Sequence, residues 1–334
     1  MKILRWLLFP VSVIYGYIVW TRNLFYDKGV FQSKSYNFPI IAIGNISVGG
    51  TGKTPMTAYV IKQFIKERTV GVLSRGYKRQ SEGFVLADEH TTAAIIGDEP
   101  FQLYSDFPEA TVAVDANRQN GIATLEKLGV LPEVLLLDDA FQHRKVKAGF
   151  YMLLTTYNQL YVDDFMLPTG NLRDTKNQVK RADCIVVTKC PDDFSEEKKQ
   201  QVLKKLATVK PVYFSKIGYS NTVYKVKEQL ELEDLKERSF TLVTGIAKPA
   251  YLVAYLKNAG LHFEHLSYSD HHNFTDQEVQ TLRSKELIIT TQKDYVRLQD
   301  KLDNIFYLPI ETLFIDGEQA FVFQLHDFVS KWDN

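Results

Sequence analysis

The chain has 334 residues, more than the roughly 100–200 of a typical single domain, so two lobes or one large domain are open and a sizeable core is possible. Hydrophobic residues at 45% and charged residues at 24% argue against a disordered chain or a multi-span membrane protein, and 40 Lys+Arg against 40 Asp+Glu leave no global field for nucleic acid. Two cysteines, Cys184 and Cys190, make neither a disulfide framework nor a metal site and fit a reducing compartment.

At the N-terminus, Trp6 to Trp20 run without a charge (WLLFPVSVIYGYIVW), flanked by Lys2, Arg5 and Arg22. The run is shorter than the about 20 apolar residues of a transmembrane helix, whereas aromatics with flanking cations suit a helix lying in a membrane interface. No small-residue cleavage site follows, which speaks against a signal peptide, and a buried soluble helix is the plain alternative. A retained membrane-contacting helix with its link is expected over residues 1–35.

Pro39 to Gly44 (PIIAIG) reads as a buried strand, and Pro55 to Glu67 carries helical spacing of Met56, Tyr59, Val60 and Phe64. Apolar runs follow at Thr69 to Leu73, Thr111 to Val114, Val134 to Leu137, Phe150 to Leu154 and Cys184 to Thr188, separated by helical stretches such as Asn117 to Leu128 and Ser195 to Ala207. Such alternation predicts an α/β core over residues 36–217, a mostly parallel sheet flanked by helices. A charged stretch ends at Arg238, with Ile217 to Val226 read as an extended link, and a new alternation begins at Ser239 to Thr244. Further strands are suggested at His262 to Leu266, Leu287 to Thr290 and Ile305 to Leu308. A second, smaller α/β lobe over 218–316 is expected, with 317–334 packing back on the core.

The chemistry starts at Ser47 to Thr54, S-V-G-G-T-G-K-T, between a strand and a helix. In a phosphate-binding loop of this kind the backbone of Ser47, Val48, Gly49, Gly50, Thr51 and Gly52 turns its N–H groups toward phosphate oxygens, Lys53 reaches the β/γ-phosphates and Thr54 ligates Mg²⁺. Ser47 stands where the usual motif has its first glycine. Val134 to Leu137 end in Asp138 and Asp139, a strand-end carboxylate pair of the kind that holds Mg²⁺ opposite such a loop. ATP and Mg²⁺ are the expected cofactors, and the fold is P-loop NTPase-like. A nucleotide-driven conformational switch is the competing reading. Against it, Pro191 replaces the guanine-reading aspartate in Thr188-Lys189-Cys190-Pro191, and Val48 replaces the signature lysine of dimerising ATPase switches.

Six motifs in order then become specific: Gly44 to Pro55 (GNISVGGTGKTP), Ser74 to Arg79 (SRGYKR), Gly97 to Pro100 (GDEP), Leu137 to Arg144 (LDDAFQHR), Pro168 to Asp174 (PTGNLRD) and Asp270 to Phe274 (DHHNF). Together they closely resemble the tetraacyldisaccharide 4'-kinases, the lipid A 4'-kinases of Gram-negative bacteria, over nearly the whole chain. Asp174 stands where a glutamate is expected. The resemblance implies transfer of the ATP γ-phosphoryl group to the 4'-hydroxyl of a lipid A disaccharide 1-phosphate on the cytoplasmic face of the inner membrane, by a monomer. It also implies Asp98 as base with His271 as its partner, His272 being the adjacent alternative. Asp98 equally suits a helix cap ahead of Pro100. Glu99 is either a further Mg²⁺ ligand or a first-turn acid favoured by the helix dipole. Arg75, Lys78 and Arg79 follow the second strand, at the edge where α/β sheets bind ligands, and with Arg118 and Arg173 they are candidates for the substrate's phosphate or the transferring group. His143 and Arg144 lie close enough to the carboxylate pair to support it.

Overall fold

The computed structural model describes residues 5–225, 228–247, 249–270 and 272–333. The chain divides into two compact units, one running to Ile217 and resuming at Thr312, the other Gly218–Glu311.

In the first unit, helix α1 (Phe9–Asp27) precedes strand β1 (Ile40–Gly44), helix α2 (Lys53–Phe64), and strands β2 (Val70–Ser74) and β3 (Val85–Leu86). Then come α3 (Ala93–Ile96), α4 (Asp98–Asp106), β4 (Thr111–Val114), α5 (Arg118–Lys127), β5 (Val134–Asp138), β6 (Phe150–Thr156), β7 (Cys184–Thr188), α6 (Glu196–Leu206) and β8 (Val212–Tyr219). After the second unit, β15 (Ile310–Asp316) and helix α10 (Glu318–Ser330) complete it. Among the described residues these strands form one sheet in the order β15-β8-β7-β6-β1-β5-β2-β4-β3. The pairs from β8 through β4 are parallel, and the short β3 is antiparallel to β4.

Parallel strands covered on both faces read as continuous apolar runs, and β1, β2, β5 and β7 are buried at every position. Alternation within β1 sorts the faces. Ile41 and Ile43 join Met56, Val60 and Phe64 of α2, whereas Ile40 and Ala42 pack with Ile122 and Leu125 of α5. Phe321, Leu325 and Val329 of α10, spaced four apart on one face, enter the first of these clusters. Burial of side chains of this size contributes about 1.5–3 kcal/mol apiece.

The second unit contains β9 (Thr222–Lys225), β10 (Glu228–Glu231), β11 (Phe240–Thr244), α7 (Ala250–Asn258), β12 (Phe263–Ser267), α8 (Asp276–Arg283), β13 (Ile288–Thr291), α9 (Gln292–Leu298) and β14 (Ile305–Leu308). Its sheet order is β10-β9-β14-β13-β11-β12, with β12, β11, β13 and β14 parallel. The stretch expected to be an extended link, Ile217 to Val226, instead holds the end of β8 and strand β9, which pairs antiparallel with β10. Residues 312–316 belong with β15 and the first sheet.

Helix α1 turns polar atoms inward. Ser12, Val19 and Asn23 are its buried residues, while Val13, Ile14, Tyr17 and Ile18 lie 56–66% exposed. Among the described residues no helix is long and apolar enough to cross a membrane.

Candidate active site

The register of the first sheet builds the site. Ile43 of β1 lies beside Asp138 of β5, so the loop after β1 and the acidic pair after β5 leave the same edge side by side. Gly52 caps α2 with φ +83°, a left-handed backbone that a side chain would strain, and the helix opens with Lys53 and Thr54. The loop is braced on three sides. Asn45 Nδ2 donates to Thr51 Oγ1 (2.6 Å), and Thr188 Oγ1 at the end of β7 donates to the Thr51 carbonyl (2.8 Å). Along its other flank runs the 169–174 segment, where Ser47 bridges Leu172 and the Val48 amide donates to the Asn171 carbonyl (2.8 Å). Ser47 is therefore a paired backbone position, and this pairing holds the loop where the usual first glycine is missing. Lys189, with φ +58°, brings its ammonium near the loop: a Cβ on Gly50 would lie 3.7 Å from Nζ.

Lys53 Nζ lies 3.8 Å from Asp139, which also accepts from Arg173 (Nη1 to Oδ2, 3.1 Å). A second guanidinium nitrogen of Arg173 bonds both Asp139 and the Asn45 side chain. Asp139 adopts φ +48°, a conformation costing about 1–3 kcal/mol for a non-glycine residue and characteristic of functional sites. Burial opposes its ionisation, but Arg173 and Lys53 together hold its carboxyl below the usual range. Asp138 behaves oppositely. Burial, reinforced by Glu99 and Asp139, pushes its carboxyl up to about 7 despite Lys53 and Arg118. Its nearest hydroxyls, Thr57 and Ser74, are each 3.4 Å away. A buried carboxylate under this pressure suits a cation. Among the described residues no group of three or more His, Cys, Asp or Glu could hold a metal by itself. The donor set of Thr54, Asp138 and Asp139 fits Mg²⁺, which takes one or two carboxylates and completes its shell with phosphates and water.

Glu99 joins this cluster electrostatically, from the first turn of α4. Asp98 is the first residue of that helix and does not cap it. The cap is Gly97, with φ +94°, where a Cβ would come 3.0 Å from the Tyr77 carbonyl, so the helix start lies tight against the loop after β2. Pro100 is accordingly the third residue of the helix, one later than a cap at Asp98 would make it.

Of the basic candidates, Arg75 and Lys78 are exposed and help line a cavity of about 400 Å³ with Tyr77, Arg79 and Glu82. Arg79 is turned to the backbone, donating to the Val114 (3.4 Å) and Gly83 carbonyls. Arg118, expected at the substrate, is 2% exposed and donates to the carbonyls of Asp115 and Asp138. It fastens the ends of β4 and β5 and acts on the carboxylates through its charge. Burial, with Arg118 and Arg75 adding, lowers His143 to about 4, so its imidazole is neutral near pH 7. Arg144 holds Asp27 of α1 at 2.6 Å. A cavity of about 430 Å³ beside α6 is lined by none of the phosphate-loop residues.

In the second unit His271 lies outside the described residues. His272 is engaged on both ring nitrogens, Nε2 with Glu278 (3.0 Å) and Nδ1 with Ser269 (3.3 Å), and stacks on Tyr268. Glu278 closes a capping box with Thr275 at the start of α8, so His272 anchors the D-H-H-N-F loop. Asn45, Asn171 and Thr188 are site residues to which sequence reasoning gave no role at the phosphate loop, although each lies in a motif or at a strand end that it singled out.

A sequence profile for tetraacyldisaccharide-1-phosphate 4'-kinases matches residues 4–330. The chain belongs to this family. Among relatives named tetraacyldisaccharide 4'-kinase, it is 49% identical to one from Flavobacterium johnsoniae, with 99% of each chain covered. It is 42% identical to one from Phocaeicola vulgatus, over 99% of this chain and 96% of that one. It also superposes on a crystal structure of LpxK from Aquifex aeolicus in complex with ATP, with a TM-score of 0.81, 32% identity, and 98% and 99% of the two chains covered.

Proposed function

We propose that this chain transfers the γ-phosphoryl group of ATP to the 4'-hydroxyl of a tetraacyldisaccharide 1-phosphate, giving the 1,4'-bisphosphate. The observation that carries this reading is the convergence of Lys53, Thr54, Asp138, Asp139 and Arg173 on one sheet edge, in a chain whose full length matches the family.

In this reading the loop amides from Ser47 to Gly52 orient the phosphates, while Lys53 and Arg173 stabilise the charge that spreads over the transferring group. Thr54, Asp138 and Asp139 would hold Mg²⁺, which would offset phosphate charge when bound. Asp98 accepts the proton of the attacking hydroxyl, and His271 assists it. Arg75 and Lys78 receive the 1-phosphate of the lipid. The outward apolar face of α1, with Arg5 nearby, rests in the cytoplasmic surface of the inner membrane, where a four-chain lipid stays.

The test is incubation of the full chain with ATP, Mg²⁺ and purified lipid A disaccharide 1-phosphate in mixed micelles. A mass gain of one phosphate on the lipid supports the proposal. ATP hydrolysis with unchanged lipid favours a nucleotide-driven switch instead.

A further inference from the structure

Helix α1 has the composition of a membrane anchor but is docked in a way an anchor does not need. Its inward stripe, Ser12, Tyr15, Val19, Arg22 and Asn23, follows helical spacing and is mostly polar. Polar groups buried against protein are costly unless bonded, and each of these polar side chains makes at least one bond to a defined partner, although Asn23 Oδ1 and Asp174 Oδ2 are left without one. Ser12 Oγ donates to Thr169 Oγ1 (2.7 Å) and accepts the Thr169 amide (2.9 Å). Asn23 Nδ2 donates to the buried Asp174 carboxylate (2.7 Å), and the Tyr15 hydroxyl donates to the Arg173 carbonyl (3.2 Å). Arg22 reaches the Gln142 carbonyl (2.9 Å), whose side chain in turn donates to the Asn45 carbonyl (2.5 Å).

The 169–174 segment is one backbone thick between α1 and the phosphate loop. On the helix side Tyr15 and Asn23 hold the carbonyl of Arg173 and the side chain of Asp174. On the loop side the Arg173 amide donates to the Ile46 carbonyl (2.8 Å), and its guanidinium bonds Asp139 and Asn45. A displacement of α1 along its axis therefore moves the arginine that pairs with the strand-end carboxylate.

We infer that Tyr15 and Asn23 are positioning residues for phosphoryl transfer: the inward polar stripe of the N-terminal helix sets Arg173 against Asp139, while the outward apolar face meets the lipid surface. Two faces of one helix thus have separable effects, one on kcat and one on KM for lipid. The inference rests on Arg173 belonging to the active site as proposed above.

The experiment uses the full chain and measures transfer in mixed micelles at saturating lipid, with melting temperature on every variant. Asn23→Ala is expected to lower kcat roughly 10-fold, within the range that small misplacements of catalytic groups produce. Tyr15→Phe removes one hydroxyl with little risk to folding and should lower kcat about 3-fold, the scale of one modest hydrogen bond. Arg173→Ala should cost more than either, and Asn23→Ala combined with Arg173→Ala should cost no more than Arg173→Ala alone, because the first residue acts through the second. Ile14→Ser on the outward face should raise KM for lipid and leave kcat unchanged. Unchanged kcat in both Asn23→Ala and Tyr15→Phe overturns the inference, as do losses that multiply in the double variant. A silent Arg173→Ala removes the active-site reading itself and the inference with it, so the two failures are distinguishable.

Discussion

The two sheets place related parts at their carboxyl edges and use them differently. In the first, the loop after β1 faces Asp138, whose hydroxyl neighbours stand back at 3.4 Å and whose carboxyl is pushed up to about 7. In the second, β11 and β13 are likewise adjacent, and Gly245 after β11 faces Asp294 from α9. There the carboxylate is tied into the fold: Oδ2 accepts the Gly245 amide (2.8 Å) and the Thr291 hydroxyl (2.7 Å). A Cβ on Gly245 would come within 2.7 Å of Asp294 Oδ1, so the approach is closed to any other residue. One edge keeps its carboxylate loosely satisfied, as a cation site requires, and the other ties Oδ2 into local structure and leaves Oδ1 to Arg297 at 3.7 Å. Sheet topology marks where ligands can bind, and the hydrogen bonds of the edge residues decide whether the place stays available.

Breaking the first edge should have the largest effect. Lys53→Ala is expected to lower turnover by about 10³-fold or more, because the γ-phosphoryl group loses a preorganised cation, with little change in melting temperature. Steady-state phosphate transfer and a thermal melt on the same sample check both halves. Asp98→Ala should follow, at roughly 10²–10⁴-fold in kcat. Since Gly97 and not Asp98 caps α4, the loss should be read chiefly in kcat; a stability loss with intact kcat would return Asp98 to a structural role. His271→Ala should lower kcat less and not add to Asp98→Ala, whereas His272→Ala should chiefly lower the melting temperature by releasing Glu278 and Ser269.

A paired substitution sharpens the comparison of edges. Asp138→Asn should abolish most turnover and raise the melting temperature in Mg²⁺-free buffer, since it removes a buried charge repelled by Glu99 and Asp139. Asp294→Ala should destabilise the chain by about 1–3 kcal/mol, leaving buried donors unpaired, with ATP affinity unchanged. The wild type carries a pH signature of the same asymmetry. Asp138 has its pKa raised in the folded state, so its contribution to stability is fully present below the unfolded value of 3.8 and lost as pH rises through about 7. Without Mg²⁺, the melting temperature relative to Asp138→Asn should therefore increase as pH falls from 8 toward 5.

Much of this was legible in the sequence because the central strands are parallel and doubly covered: β1, β2, β5 and β7 are unbroken apolar runs with their functional residues at the ends. What was hidden is non-local or atypical. Strand β9 reads as part of an extended link because it is short and half-buried with Val223 alone buried, and its partner β10 is mostly exposed and charged. Arg118 reads as a ligand-binding cation, and only the fold shows its guanidinium bonded to two carbonyls. The brace of the phosphate loop by Asn171 and Leu172 joins residues more than a hundred positions apart, which no local pattern reveals. The apolar run of α1 was visible, but its few inward polar residues matter only once their partners at 169–174 are seen.

A smaller effect than those at the first edge lies on the outward face of α1. Val13→Ser with Ile14→Ser should raise KM for lipid about 10-fold through lost apolar burial while ATP affinity holds. An unchanged KM would remove the lipid surface from the account of this helix.

The central claim concerns which oxygen receives the phosphoryl group. Phosphorus NMR of the lipid product, with proton coupling used to locate the new phosphate, tests it most directly. The account predicts a second phosphorus signal coupled to the proton on C-4', formed with ATP and Mg²⁺ and lacking with Lys53→Ala. A phosphate on any other carbon, or ADP formation with the lipid still carrying only its 1-phosphate, would contradict it.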